Sequence, residues 1–233
     1  MYKNKTFLAI IPARGGSKRL SRKNVRLLQD IPLLAHTIIA SKKSKYVDQT
    51  LVSSDDVEIL TIAQSYNADT IKRPEILARD TSTTFDAIKH AIDNSKKYDY
   101  IILLQATSPL RIHTHIDEAI ELLFEKKAKG IISVCEMEHS PLWSNTLDNN
   151  KDMSLFLSKD IINQRSQDLD TFYRLNGAIY ISSLKELLEQ KSFFLTKSIY
   201  AYVMKKEDSI DIDEEFDFKI AELFLSTKKI VSK

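Results

Sequence analysis

The sequence predicts an α/β domain built on a mostly parallel, doubly wound sheet with helices on both faces. Two observations carry that prediction. Short continuous apolar runs, of the kind that suits strands covered on both sides, alternate with stretches whose apolar residues recur at helical spacing. The chain of 233 residues is long enough for one domain with a sizeable core, so residues 1–233 are read as a single unit.

The elements follow in order. Phe7 to Ile11 is a buried strand, and after a polar loop a helix runs from about Leu33 to Lys43. Gln49–Ser53 is a second strand, and Ile59, Ile62, Ala63 and Tyr66 mark the helix after it. Ala68–Lys72 is a third strand, with Phe85, Ile88 and Ile92 marking the next helix. Tyr100–Leu104 is a strongly apolar strand that stops at Gln105-Ala106-Thr107-Ser108-Pro109. Ile116, Ala119, Ile120 and Leu123 mark a further helix, and Gly130 opens the strand Ile131–Cys135. The alternation then breaks. Glu136 to Arg174 is polar and weakly periodic and holds the single tryptophan, Trp143. A structureless stretch of that length is unusual inside a compact domain, so 136–174 is expected to be an excursion that packs on a partner subunit in a homodimer. Gly177–Ser182, a helix at Leu184–Gln190, the strand Ile199–Met204 and a last helix from about Glu214 resume the pattern.

Composition excludes several classes. The 34 cations balance 32 anions, which gives no global support to nucleic-acid binding. The single cysteine, Cys135, excludes an intrachain disulfide, and its apolar setting reads as a buried thiol. No apolar run approaches the ~20 residues of a membrane span. The basic N-terminus runs into the first polar loop after too few apolar residues for a signal peptide, so a cytoplasmic protein without membrane partners is expected.

The chemistry lies in the turns that follow strands, because ligands of doubly wound sheets sit beyond the C-terminal strand ends. The first turn holds Gly15 and Gly16, two of only four glycines, which would let backbone N–H groups approach an anion. Arg14, Lys18, Arg19, Arg22 and Lys23 surround it with positive charge. This predicts a polyphosphate loop, with a solvated basic turn as the alternative. Neither G-x-x-x-x-G-K-[ST] nor G-x-G-x-x-G is present, which argues against a P-loop ATPase and a dinucleotide dehydrogenase. The turns at Ser53-Ser54-Asp55-Asp56 and Gln105–Arg111 should meet the first in one crevice.

A second cluster is Asp211-Ile212-Asp213-Glu214-Glu215. In extended backbone Asp211 and Asp213 share a side and can grip one cation, with Ile210 and Ile212 facing the core. Oxygen ligands without nearby cysteine favour Mg²⁺ or Mn²⁺. A helix start, capped by Asp213 and with Glu214 and Glu215 complementing the dipole, is the alternative and is compatible with the metal. Arg165 and Arg174 form a third group, suited to a carboxylate or phosphate, with a surface salt bridge as the ordinary explanation for either one alone. The five histidines show no zinc spacing, and His113 and His115 belong to the start of a helix. Phe193-Phe194 reads as core or interface.

Taken together, Ile11-Pro12-Ala13-Arg14-Gly15-Gly16-Ser17-Lys18 with Arg22-Lys23-Asn24, Val52-Ser53-Ser54-Asp55, Arg73-Pro74-Glu75, Leu103 to Arg111, Asn176-Gly177-Ala178-Ile179-Tyr180 and Asp211-Ile212-Asp213 resemble the bacterial N-acylneuraminate cytidylyltransferases. The match is in family order and spans nearly the whole chain. Ala106 departs from the family's usual proline, and Trp143 stands near where some sialic-acid enzymes carry a lysine. The resemblance implies a Rossmann-like nucleotidyltransferase that joins CTP to a nine-carbon 2-keto sugar acid, releasing pyrophosphate. It implies that Arg14, Gly15, Gly16, Ser17 and Lys23 bind the CTP phosphates, that Asn24, Arg73 and Thr84 hold the rest of the nucleotide, and that Gln105, Arg165, Arg174 and Tyr180 contact the sugar acid. Asp211 and Asp213 would hold Mg²⁺. Arg14, Lys23 and Asp211 would carry catalysis, and Phe193 and Phe194 would reach into the partner's sugar site. Rival readings are the same chemistry on legionaminate, pseudaminate or the eight-carbon Kdo, and a non-catalytic nucleotide-binding protein, which would not need the carboxylate pair.

Overall fold

The computed structural model describes residues 1–16, 19–79 and 81–231; Ser17 and Lys18 of the expected phosphate loop lie outside the described residues. Strand β1 (Phe7–Pro12) leads through a small hairpin, β2 (Leu27–Leu28) and β3 (Ile31–Pro32), into α1 (Leu33–Lys43). Then β4 (Gln49–Ser54), α2 (Val57–Ser65), β5 (Asp69–Lys72), α3 (Thr84–Asp93), β6 (Tyr100–Leu103), α4 (His113–Glu125) and β7 (Gly130–Glu136) follow in the predicted alternation. Beyond the excursion come β8 (Tyr173–Ser183), α5 (Leu184–Gln190), β9 (Ile199–Met204) and α6 (Glu215–Val231). The hairpin carried no glycine signal: Gln29 and Asp30 themselves adopt the left-handed conformation, at φ 49° and 64°, that a two-residue hairpin turn requires.

The main sheet runs β5-β4-β1-β6-β8-β7-β9. All its pairings are parallel except those of β8, which is antiparallel to both β6 and β7. Strand β1 shows why its sequence is continuously apolar. Phe7, Ala9 and Ile11 pack with Leu34 and Ile38 of α1, Ile59 of α2 and Ile116 of α4. Leu8 and Ile10 face the opposite way, onto Ile88 and Ala91 of α3 and Leu187 of α5. Both faces are therefore dry, and each fully buried side chain of this size stabilises the fold by roughly 1.5–3 kcal/mol. A third cluster joins Leu20, Leu28 and Leu33 to Ile212, Phe218 and Ala221, fastening α6 under the first loop.

The antiparallel strand β8 decides where the site is completed. Because it runs against its neighbours, its first residues lie beside the C-terminal ends of β6 and β7, the edge where a doubly wound sheet binds ligands. The segment 137–172 is the connection that makes this reversal possible, and apart from short 3₁₀ turns at Pro141–Trp143 and Ser166–Asp168 it is irregular. The β7–β8 register then jumps from Val134↔Leu175 to Ile132↔Tyr180, so Asn176 to Ile179 form a bulge. Ser133 Oγ holds it, donating to Asn176 Oδ1 at 2.6 Å and accepting from Ile179 N at 2.8 Å. Gly177 sits in it at φ +71°. A Cβ there would lie 2.2 Å from Gln105 Oε1, so glycine is needed for both the conformation and the close approach.

Candidate active site

A cleft of about 650 Å³ opens at this edge. The first loop (Arg14, Arg19, Lys23, Asn24), Arg73, Leu77, Ala78, Arg79, Ser82, Thr83 and Thr84, the turn at Gln105–Thr107 and the pair Asp211 and Asp213 line it. The first and third turns meet here as predicted, and the acidic pair lies beside them.

The first loop is shaped by its neighbours more than by its glycines. Among the described residues Gly177 is the glycine with positive φ, so Gly15 and Gly16 shape the loop without left-handed backbone. Gly15 is needed for closeness: a Cβ would stand 2.5 Å from Asp56 Oδ2. Its N–H donates to Asp55 Oδ1 at 3.3 Å, and Asn24 Nδ2 donates to the Arg14 carbonyl at 3.0 Å. Asn24 is thus a brace for the loop. Arg22 leaves the ring of charge, because its guanidinium is taken by Asp56 and Glu58, while Asp56 also accepts from the amides of Glu58 and Ile59 at the start of α2. The Asp55-Asp56 turn therefore buttresses the loop from behind and does not line the cleft. Arg73 is only 5% exposed; burial pushes its guanidinium down, against the pull of Asp55 at 3.6 Å.

Across the cleft the extended run at Asp211 behaves as its alternation predicts. Ile212 is buried in the third cluster and its N–H donates to the Thr107 carbonyl at 2.8 Å, leaving Asp211 and Asp213 on the cleft side. Asp213 pairs with Arg19 at 2.8 Å and Lys23 at 3.1 Å, and Lys23 also donates to the Ile212 carbonyl. The expectation that Asp213 caps the last helix needs correcting: Asp217 Oδ2 accepts from the amides of Asp213 and Glu214. The Asp213 side chain is left to the cleft. Burial pushes the Asp211 carboxyl up, with Asp213 adding to the push and the Thr107 hydrogen bond opposing it. Its Oδ1 is buried without a hydrogen-bond partner. Such an orphaned carboxylate oxygen beside a second carboxylate fits a hard divalent cation. Among the described residues no group of three potential metal ligands exists, so those residues would contribute at most this pair.

The expected sugar-side residues separate into those at the cleft and those beyond it. Gln105 lines the cleft, its Oε1 against Gly177. Tyr180 is close enough that Asp211, after burial, pushes its hydroxyl up. Arg174 lies outside the lining residues, with its guanidinium on Glu138 at 3.0 Å; that hydrogen bond holds it up, and Asp211 adds to it. Arg165 is exposed within the excursion and pairs with Asp168 at 2.8 Å. Phe193 belongs to the chain's own core, 7% exposed and 6.0 Å from the Tyr180 ring, whereas Phe194 is 57% exposed. Thr84 lines the cleft at the start of α3, where Thr83 and Asp86 form a reciprocal capping box.

Sequence reasoning placed Arg19 among the cations of the first loop but missed Thr107 and the wall formed by Leu77, Ala78, Arg79, Ser82 and Thr83. The wall's one signal is the Thr-x-x-Asp capping pattern, which marks a helix start and, with it, a set of exposed backbone amides. Arg111 was also missed: it is 1% exposed, has no carboxylate partner among the described residues, and burial pushes its guanidinium down to about 9.

Comparison with known proteins follows this geometry. The chain is 41% identical over 216 residues to the N-acylneuraminate cytidylyltransferase of Escherichia coli O18:K1:H7, covering 92% of this chain and 51% of that protein. It is 36% identical over 229 residues to the CMP-N,N'-diacetyllegionaminic acid synthase of Legionella pneumophila, covering 92% and 94%. The chain therefore spans about half the length of the first relative and nearly all of the second. The structure of CMP:2-keto-3-deoxy-manno-octonic acid synthetase complexed with CTP shares the fold, with a TM-score of 0.73 at 14% identity over 96% of this chain and 99% of that one. The family model described as Cytidylyltransferase matches residues 8–230, and with that match, on a sheet whose C-terminal edge gathers these cations and carboxylates, the chain belongs to the cytidylyltransferase family.

Proposed function

We propose that this chain transfers the cytidylyl group of CTP to a nonulosonic acid, a nine-carbon 2-keto sugar acid of the N-acylneuraminate or legionaminate kind, and releases pyrophosphate. The observation that carries the proposal is the juxtaposition in one cleft of Arg14, Arg19 and Lys23 with Asp211, whose Oδ1 is buried and unpartnered, opposite Gln105 and the Gly177 bulge. The two relatives above act, by name, on N-acylneuraminate and on diacetyllegionaminic acid, which supports the same substrate class here.

The reaction needs little covalent chemistry from the protein. The sugar's anomeric hydroxyl oxygen bonds to the α-phosphorus as the bond to the pyrophosphate oxygen breaks, and the barrier falls mainly through positioning and charge neutralisation. Arg14 and Lys23 would offset charge on the departing pyrophosphate. Without ligand, Arg19 and Lys23 are held by Asp213; a triphosphate competing for those two cations would release the Asp213 carboxylate. Asp211 and Asp213 would then hold Mg²⁺, which when bound neutralises phosphate charge and acidifies nearby hydroxyls. Tyr180, Gln105 and Arg174 would orient the sugar acid, with Arg174 exchanging Glu138 for the substrate carboxylate. The test is pyrophosphate release from CTP against N-acetylneuraminic, N,N'-diacetyllegionaminic and pseudaminic acids and Kdo. Turnover of at least one nonulosonic acid, well above Kdo, is the expected result; release with none of them would end the proposal.

The same reading makes the protein a homodimer through 137–172. That segment exposes Leu142, Leu147, Met153, Leu155 and Ile162, apolar side chains that a partner could cover. Sedimentation at micromolar concentration should give a species of twice the chain mass, and an active monomer would remove the interface. Because Phe193 is committed to its own core, Phe194 is the ring available to a neighbouring site.

A further inference from the structure

Arg111 is the largest fully buried side chain in the described protein that carries a charge. Its Nη1 donates to the carbonyl oxygens of Gln105 at 3.2 Å and Ala178 at 3.0 Å, while Nε and Nη2 are buried without partners. Burying a guanidinium with no anion and two idle donors works against stability, and an apolar side chain of similar volume would fill the same space at lower cost. Packing alone therefore does not account for an arginine here. What the two bonds join is specific. Gln105 lies at the turn after β6, its carbonyl also accepting from Thr37 Oγ1 at 3.2 Å. Ala178 adjoins Gly177, the left-handed residue of the β8 bulge against which the Gln105 side chain rests.

We infer that Arg111 is a positioning residue that staples the Gln105 turn to the Gly177 bulge and so holds the Gln105 amide where it meets the sugar acid. The inference rests on the proposed function, in which Gln105 contacts that substrate. Arg111 itself is sealed from the cleft and acts through Gln105. The planar fork is suited to the task because one nitrogen can serve two carbonyls while the rest of the group is fixed by packing.

The test uses the full chain, with CTP and whichever of N-acetylneuraminic or N,N'-diacetyllegionaminic acid turns over faster, in Arg111→Met, Arg111→Lys, Gln105→Ala and the Arg111→Met/Gln105→Ala double variant. Arg111→Met should raise KM for the sugar acid about 10-fold, as a small misplacement of a positioning group does, with KM for CTP within about two-fold and Tm not lowered. Arg111→Lys should recover part of the loss. In the Gln105→Ala background Arg111→Met should add little, because the two act as one unit. Fully additive effects, equal rises in both KM values, or an unchanged sugar-acid KM in Arg111→Met would overturn the inference. If Arg111→Met does not fold and Arg111→Lys has wild-type KM values, Arg111 serves folding only and the inference also fails. Gln105→Ala with an unchanged sugar-acid KM would instead sink the substrate reading and the inference with it, so the two failures are told apart.

Discussion

Asp211→Ala is expected to lower kcat by about 10²–10³-fold, the scale on which one major electrostatic group at a reacting centre acts. The expectation rests on the buried Oδ1, which has no partner among the described residues, so its partner would arrive with the ligands. Steady-state pyrophosphate release with saturating CTP and Mg²⁺ measures the loss, and full activity in Mg²⁺ would end the metal-site reading. The same residue makes an opposite prediction for stability. Burial first, and then Asp213, push the Asp211 carboxyl up, so the folded chain holds that proton more tightly than the unfolded chain. The stabilisation tied to the proton is full below the ordinary carboxylate range and is lost as pH rises through the raised value. Above that value the ionised carboxylate weakens the metal-free fold. Asp211→Asn should therefore raise Tm at pH 7 in chelator, with the gain shrinking as pH falls through the carboxylate range, while activity stays low. A lower Tm at pH 7 would show that the carboxylate is a structural contact.

Arg174→Ala and Arg14→Ala should damage different substrates. A carboxylate held by a paired arginine loses charge-assisted hydrogen bonds on truncation, roughly 1.5–3 kcal/mol. Arg174→Ala should accordingly raise KM for the sugar acid about 10–100-fold and leave KM for CTP within a few-fold. Arg14 lines the cleft on the β1 loop, close enough to Arg73 to help push that guanidinium down. Arg14→Ala should raise KM for CTP or lower kcat, since its charge is needed where phosphate charge develops. Arg174→Ala harming CTP alone would reverse the two halves of the cleft and leave the sugar acid without an anchor. Glu138 offers a control: its carboxyl is held down chiefly by Arg174, so it occupies that guanidinium until substrate does.

Much of this molecule is legible in the chain because its signals are local. The apolar run Phe7–Ile11 had to be a strand dry on both faces, and the alternation Ile210-Asp211-Ile212-Asp213 had to divide between core and cleft, since side-chain direction in extended backbone follows residue parity. The run Leu33–Lys43 and the polar break after Glu136 were equally plain, for periodicity and its absence are properties of neighbouring residues. What sequence alone could not decide is what a charged side chain meets across the fold. Arg22 looked like part of the phosphate loop until Asp56 and Glu58 claimed it. Gly15 was legible as a small residue that lets backbone approach an anion, but not that a carboxylate 41 positions later in the chain crowds it. Arg174 could be read as a ligand group or as half of a surface salt bridge, and only the fold shows Glu138 as the carboxylate that holds it. The tertiary structure also set the direction of β8, and with it the arrival of Arg174, Gly177 and Tyr180 at the ligand edge. Local patterns specify strands and helices, whereas strand order, strand direction and the partner of each charge depend on contacts between distant segments, which exist only once the chain has closed on itself.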